Sequence, residues 1–437
     1  MSVMLVPAGM ECFTQMSRNF FLKEEKNESE HSVIAPDVKD FYMSDRHIRY
    51  TSINYGDKPV IDDDYHLMAP TLGPAFLKEI GIKMGLINHA LKKIYMNPLK
   101  DCGIITILDS GGFQLFSGKK EFIDPVDVVN EYNKFADIGM DLDIPLQLTD
   151  DMDSLKAIAL VQKANYEVMR KRLKKGVSIA LVSHGITIDE RKIFYDILDR
   201  YKARYVSIAG LARQQETIYG ELYSAEAIAQ AISLFPNLVY LHCLGATGMD
   251  DFIVYSLFYH LGLVKNIGAD STVFAYRGAV GEYETLPSRL MTISKNRYIH
   301  HDLSCSCPVC ALTHDSRVIN SFIPLASHSL YVRKKRLDMC VNIVKRYLEG
   351  KVTAHELLEM CASRMGVMRF NNLVRYIKEF KQTKRFKKAE YSTLKYSKAL
   401  FYSDYEEGDD SEDLDDFTKR WLTIMNAYEE YHKTRFY

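Results

Sequence analysis

The run GIITILDSGGFQ at residues 103–114, followed by IDPVDVVNEYNKF at 123–135 and ADIGMDLDI at 136–144, decides the reading of the fold. An apolar run, Gly103–Leu108, ends at Asp109. An amphipathic charged stretch, Pro125–Phe135, has the spacing of a helix, and a second apolar run, Met140–Ile144, surrounds Asp143. The same rhythm continues. Val177–Val182 ends in Ser183-His184-Gly185, Tyr205–Ile208 in Ala209-Gly210-Leu211, and Leu238–Leu244 in Gly245, while a less regular sixth segment surrounds Asp270. Helical patterns at Ser154–Lys174, Asp189–Tyr201 and Ala225–Leu234 lie between them. Strands alternating with helices imply parallel strands joined by right-handed crossovers. Chemically rich residues at so many strand ends predict an α/β fold of the (β/α)8 TIM-barrel type, whose active sites are built from those ends. A doubly wound open sheet would need one dominant Gly-rich phosphate loop after its first strand, and none stands there.

Upstream of this core, Ala75–Met96 carries Leu77, Ile80, Met84, Ile87, Leu91 and Ile94 at helical spacing, and the polar stretch 22–46 reads as a surface loop. Downstream of residue 300 the character changes. A cysteine cluster comes first, and Tyr331–Glu349 then reads as an amphipathic helix with Leu337, Val341, Val344 and Leu348 inward. Residues 364–398 interleave Arg364, Arg369, Arg375, Lys378, Lys381, Lys384, Arg385, Lys387 and Lys388 with Phe370, Tyr376, Phe380 and Phe386. Asp404–Asp416 reads as an acidic linker, and Phe417–Tyr437 as a last helix holding Trp421. The expected organisation is a catalytic barrel over 1–300 with an N-terminal elaboration, an inserted zinc-binding subdomain with its closing helix over 301–350, and a helical C-terminal extension over 351–437.

At 437 residues, 47% hydrophobic and 26% charged, the chain is neither disordered nor of low complexity. Lys and Arg number 56 against 57 Asp and Glu, so a globally basic nucleic-acid coat is excluded and polyanion contact needs a local patch. No apolar run reaches the roughly 18–20 residues that span a bilayer. The start MSVMLVPAGMECFTQ lacks the basic lead and cleavage site of a signal peptide, so a cytoplasmic protein is expected.

Three of the eight cysteines form Cys305-Ser-Cys307-Pro-Val-Cys310, the most specific local signal in the chain. In a long chain this clustering reads as a metal site in a reducing compartment rather than a disulfide framework. Three thiolates completed by one imidazole suit a closed, structural zinc site. His328 is the expected fourth ligand, with His314 as its competitor. Three carboxylates are candidates for chemistry: Asp109, which either serves as acid or base or only caps its turn; Asp143, which faces a site or a structural partner; and Asp270. Asp137 and Asp141 read as surface residues. Gly210 opens backbone to a ligand, whereas His184 taken alone reads as a structural histidine. Two carboxylates, one attacking and one moving protons, are the apparatus for substitution at a glycosidic carbon.

DSGGFQ at 109–114, ADIGMDLDI at 136–144, SIAGLA at 207–212, HCLGATG at 242–248, GADS at 268–271, and CSCPVC followed by HSLYV together resemble the tRNA-guanine transglycosylase superfamily over about residues 100–345. By position, the resemblance implies that Asp270 is the nucleophile at C1′ and Asp109 the general acid/base. It implies that Asp143 reads the guanine edge and that Phe113 stacks on the base. Gly210 and Leu211 match backbone contacts to the base, and Leu244 and Gly245 the pocket floor. Ser110, Ser183 and His184 complete the implied binding set. The chain departs from the family pattern at Val182-Ser183-His184-Gly185, where the family has glutamine before the glycine, and at Ala269-Asp270-Ser271.

The stretch beyond residue 350 has no likeness to the RNA-binding C-terminal domain of archaeal tRNA enzymes, and bacterial ones end sooner. The chain is closer to the phage and bacterial DNA-guanine transglycosylases, which place 7-deazaguanines of the preQ0 type in DNA. The resemblance therefore implies DNA and a free 7-deazaguanine base as partners, with tRNA as the alternative polymer and a homodimer left open. A non-catalytic, zinc-stapled nucleic-acid-binding paralogue is the alternative from another class.

Overall fold

The computed structural model describes residues 2–7, 74–88, 103–112, 115, 122–144, 152–185, 187–198, 203–211, 220–271, 273–274, 277, 282–285, 289–292, 305, 307–308, 310, 322–387 and 411–436. The expectations placed on 22–46, Phe113, His314 and Lys388 lie outside the described residues.

Eight parallel strands with helices between them form a nearly closed α/β barrel of the TIM type. The strands are β1 (Ser2–Pro7), β2 (Met84–Asn88), β3 (Ile105–Asp109), β4 (Ile138–Met140), β5 (Ser178–Ser183), β6 (Tyr205–Ile208), β7 (Tyr240–Cys243) and β8 (Asn266–Ser271), in the sheet order β1-β8-β7-β6-β5-β4-β3-β2. The ends of that order, β1 and β2, lie side by side. Among the described residues no helix is long and apolar enough to cross a membrane. By its contacts the chain divides into two compact units that interleave in sequence. One comprises Met1–Ile107, Gly245–Ser256 and Gly268–Val367, the other Leu108–Leu244, Leu257–Ile267 and Met368–Tyr437.

In the second unit, β4 pairs with β5, β5 with β6 and β6 with β7, all in parallel. Ser183 lies beside Ile208, and Ile208 beside Cys243, so neighbouring strand ends are level. Helix α2 (Pro125–Phe135) starts where its residues dictate. Asp124 is the N-cap, its carboxylate accepts the Val126 N–H at 2.8 Å, and Pro125 occupies the first turn, where a missing N–H costs nothing. Its Val128, Val129 and Tyr132 are buried, each burial worth roughly 1.5–3 kcal/mol. Helices α3 (Met152–Arg172), α4 (Ile188–Leu198) and α5 (Gly220–Leu234) follow β4, β5 and β6. Strand β4 ends at Met140, so the extended run expected at Met140–Ile144 begins and ends earlier; the Asp141 N–H still donates to the Ala180 carbonyl of β5 at 2.8 Å.

In the first unit, the helix expected over Ala75–Met96 is corrected within residues 75–88, while Leu91 and Ile94 lie outside the described residues. Helix α1 (Pro74–Glu79) stops, and β2 follows. The break is at Gly81, whose φ of +79° suits a residue without a Cβ. Gly81 N–H donates to the Lys78 carbonyl at 3.0 Å and Ile82 N–H to the Leu77 carbonyl at 2.8 Å, a Schellman closure. Helix α6 (Met249–His260) precedes β8, and a two-stranded hairpin, β9 (Glu282–Thr285) with β10 (Arg289–Thr292), pairs antiparallel. The next helix, α7 (Phe322–Leu348), begins nine residues before the expected Tyr331, because Pro324 falls in a first turn that tolerates it. Its Leu337, Cys340, Ile343 and Val344 are buried, whereas Val341 and Leu348 are only half-buried. Helix α8 (Ala354–Met360) is closed by a capping box between Thr353 and Glu356.

The C-terminal helices, α9 (Val367–Thr383) and α10 (Ser411–Phe436), belong to the second unit. Helix α9 buries Phe370, Leu373, Val374, Tyr376, Ile377 and Phe380, so three of the aromatic residues interleaved with the basic ones, Phe370, Tyr376 and Phe380, point into the core, while Phe386 lies beyond the helix and is half-buried. Arg375, Lys378, Lys381, Lys384 and Arg385 are exposed. The last helix begins at Ser411 rather than Phe417, taking in the end of the acidic stretch read as a linker.

Candidate functional site

Within the second unit the structure brings Ser110, Asp143 and His184 together. Ser110 directly follows β3, Asp143 lies just beyond β4, and His184 directly follows β5. Ser110 Oγ donates to Asp143 Oδ1 at 2.7 Å, and His184 Nε2 is 2.9 Å from Asp143 Oδ2. The Asp143 and His184 side chains keep 14% and 8% of their exposure, so the pair is largely desolvated yet reachable. Each carboxylate oxygen carries a second lone pair, so a ligand N–H could still be accepted. Gly112 N–H donates to Ser110 Oγ at 3.3 Å and completes the cradle. A Cβ at Gly112 would stand 2.8 Å from both the carbonyl and Oδ1 of Asp143, so the turn requires glycine for close approach.

Asp109 ends β3 and is half-buried. Its charge is felt at Tyr132, whose phenol is pushed well above its ordinary value, first by burial and then by Asp109, Asp143 and Asp141. Three carboxylates thus share one neighbourhood. Asp141, read from sequence as a surface residue, is fully buried. Its Oδ2 accepts from Gln162 Nε2 at 2.9 Å, and Gln162 also donates to the Val182 carbonyl at 2.6 Å. Burial holds its carboxyl well above the usual range, against the lowering by Gln162, and Asp143 adds to the rise. The missed signal was Gly139, which faces Tyr132 and lies two residues away, on the face that turns toward the helices.

Of the remaining residues in this unit, Ser183 is buried and its hydroxyl is engaged with Tyr195 Oη at 3.2 Å and the Ser207 carbonyl at 3.3 Å. Gly210 has φ +80° and is half-buried, while the Leu211 side chain is wholly in the core. Leu244 is half-buried and its N–H donates to the Ile208 carbonyl at 2.9 Å. A residue that sequence reasoning passed over, Arg191, holds this region. Its guanidinium, fully buried, donates to the Gly185 carbonyl at 2.8 Å, to the Ala209 carbonyl at 3.1 Å and to Tyr223 Oη, bracing the ends of β5 and β6.

In the first unit, Asp270 is the penultimate residue of β8. The Gly245 N–H donates to its Oδ1 at 2.8 Å, and Gly245 itself is exposed with φ +70°.

The metal-binding expectation takes form in the same unit. Cys305, Cys307, Cys310 and His328 bring their ligand atoms within 4.8 Å of one another. His328 Nδ1 is 3.8, 3.4 and 3.3 Å from the three sulfurs in that order. A tetrahedral ion with metal–sulfur and metal–nitrogen bonds of about 2.3 and 2.0–2.1 Å would set that edge near 3.5 Å, so the residues fit one.

The surroundings orient the imidazole. His328 Nε2–H donates to the Glu284 carbonyl at 2.7 Å, which turns Nδ1 toward the sulfurs. Tyr283 stacks on the ring at 4.0 Å, and its hydroxyl is 3.4 Å from Cys310 Sγ. The buried Glu284 carboxylate accepts from Ser329 at 2.8 Å and Arg333 at 3.1 Å and is 3.4 Å from Arg336, tying hairpin to helix. Tyr283 and Glu284 carried no cluster signature in the sequence.

Fold and site together define an α/β-barrel protein with a Cys3His cluster that can bind a metal ion, compatible with zinc. No model of a known protein family matches the chain, and no curated protein matches it.

Proposed function

We propose that this chain is a guanine transglycosylase that exchanges guanine in DNA for a 7-deazaguanine base through a covalent glycosyl-enzyme. The observation that carries the reading is Asp143, held on both oxygens by Ser110 and His184 beside the end of β4, as a carboxylate presented to the N–H edge of a purine would be. The carboxyl ends of parallel barrel strands are where such folds build their chemistry.

In this reading the Asp270 carboxylate, oriented by the Gly245 N–H, attacks C1′ as the C1′–N9 bond breaks. Guanine leaves with a proton from Asp109. The incoming base gives its N9 proton to Asp109, attacks C1′ and releases Asp270, so two inversions retain the anomeric configuration. Asp143 and the backbone of Gly210 and Leu211 hold the base. Zinc held by Cys305, Cys307, Cys310 and His328 has a structural part only, because the set leaves no open position. The exposed Arg375, Lys378, Lys381, Lys384 and Arg385 support contact with a polyanion. A cysteine cluster that serves as a metal site suits a reducing, cytoplasmic setting.

The test is exchange of labelled guanine into DNA and into tRNA by the purified chain. Exchange into DNA is expected, together with a covalent adduct that survives denaturing gels when the incoming base is withheld. Asp270→Asn should abolish both. Exchange into tRNA alone would move the substrate to the alternative polymer. Polynucleotide binding without any exchange would make the chain a binding paralogue.

A further inference from the structure

We propose that the C-terminal helix α10 is a positioning element for the strand ends that carry Asp143 and the Ser110 cradle, acting through Tyr431 on Asp124 and through His432 and Asn165 on the Leu142 backbone. Three neighbouring side chains of α10 dock with their polar atoms aimed at defined partners. Tyr428 is fully buried, its hydroxyl donates to the Ile123 carbonyl at 3.0 Å, and its ring lies 4.9 Å from that of Phe122. Tyr431 donates to Asp124 Oδ1 at 2.7 Å, the atom that also accepts the α2 N-cap bond from Val126. His432 Nε2 is 2.9 Å from Asn165 Oδ1, and Asn165 Nδ2 donates to the Leu142 carbonyl at 3.4 Å.

These contacts converge on two places. Residues 122–124 form the chain entering α2 after the DSGGFQ segment. Residues 141–142 immediately precede Asp143. On α3, Gln162 and Asn165 stand three apart on one face, so they hold Asp141 and Leu142 together. His432 fixes the outer end of that pair. Asp143 also helps to raise the Tyr428 phenol, after burial has done most of it, which puts α10 within the electrostatic reach of the site. The helix buries an apolar seam of Ile424, Met425 and Tyr428, and beside that seam a phenol and an imidazole reach residues that set the two segments bearing the cradle.

The turnover part of this proposal rests on the transglycosylase reading; the positioning part does not. The experiment uses the full chain with Tyr431→Phe and His432→Ala combined, and His432→Gln as the conservative control, whose amide can still donate to Asn165. Hydrogen exchange is read at the Asp141 amide, which donates to the Ala180 carbonyl at 2.8 Å. The double variant should exchange there at least about tenfold faster with the global melting transition kept, and His432→Gln should restore protection. For base exchange, kcat should fall about tenfold while KM for the polynucleotide stays put, since displacement of a reacting group by a fraction of an ångström suffices for that loss. Unchanged protection at Asp141 overturns the proposal whatever the chemistry. If the wild type exchanges no base, the transglycosylase reading fails and the amide result alone judges the helix. If protection falls but kcat does not, α10 is structural and the proposal is wrong.

Discussion

Replacing Gly112 by alanine tests the base-binding cradle with a single methyl group. The added Cβ would lie 2.8 Å from the Asp143 carbonyl oxygen, 2.8 Å from its Oδ1 and 3.1 Å from its Cγ, where ordinary contact begins at 3.4 Å. Asp143 must therefore retreat by about 0.5 Å. It cannot do so freely, because Ser110 Oγ at 2.7 Å and His184 Nε2 at 2.9 Å hold its two oxygens. Overpacking of this kind costs about 1–3 kcal/mol. A misplacement of 1 Å can cost about a hundredfold in rate, so half of that should lower kcat/KM for base exchange by about tenfold. The assay pairs urea unfolding with guanine exchange and uses Gly366→Ala as control, since a Cβ there meets nothing within 4 Å. The control should stay within about 0.5 kcal/mol of wild type. A Gly112→Ala protein of wild-type stability and wild-type activity would refute the geometry on which the cradle rests.

Metal analysis should find about one zinc per chain, and Cys307→Ser should lose it with a large drop in melting temperature, because ligand binding there is folding energy; well-folded protein without metal would contradict this. Asp141→Asn should be at least as stable as wild type at pH 8. The folded chain binds the Asp141 proton more tightly than the unfolded chain, so wild-type stability falls as pH rises above the ordinary value of 3.8, and the amide removes that loss. Urea unfolding at pH 4 and pH 8 checks the sign, and a variant weakened at pH 8 by more than about 1 kcal/mol speaks against it. Neutralising Lys378, Lys381, Lys384 and Arg385 together should weaken polynucleotide binding across sequences and flatten its dependence on salt, read by titration at several salt concentrations; unchanged affinity would leave those residues as a solvated helix face.

The barrel was legible wherever an apolar run ended in residues with a chemical reason to be there, as at Asp109, Ser183 and Gly210. Its first two strands were not. Met84 and Ile87 in β2 extend the helical spacing of Leu77 and Ile80, and only the backbone reversal at Gly81 separates the two elements. Strand β1 is a six-residue apolar run with no chemical mark at its end. The metal ligands could be read because chelation demands four donors, and His328 completed the set. Tyr283 and Glu284 could not, because they reach the cluster from a hairpin 44–45 residues away from His328 and Ser329. Asp141 and Asp143 look alike in the sequence; which one is buried depends on Gln162 in the following helix. In α9 the stripe Phe370, Leu373, Val374, Ile377 and Phe380 has a helical period, but basic residues alternate with it so closely that charge dominates the local pattern.

Arg191 has an evolutionary consequence. Its guanidinium satisfies two buried carbonyls, Gly185 and Ala209, that have been taken from water. Glycine at 185 has φ +130° and its missing Cβ would collide with the Arg191 backbone at 2.6 Å. Loss of the arginine strands two acceptors, and gain of a side chain at 185 pushes the arginine's helix away. Neither change survives alone. Lineages descended from this chain should therefore carry Gly185, Arg191 and Tyr223 as an inherited block, exchanged together or kept together, even where the residues around them drift.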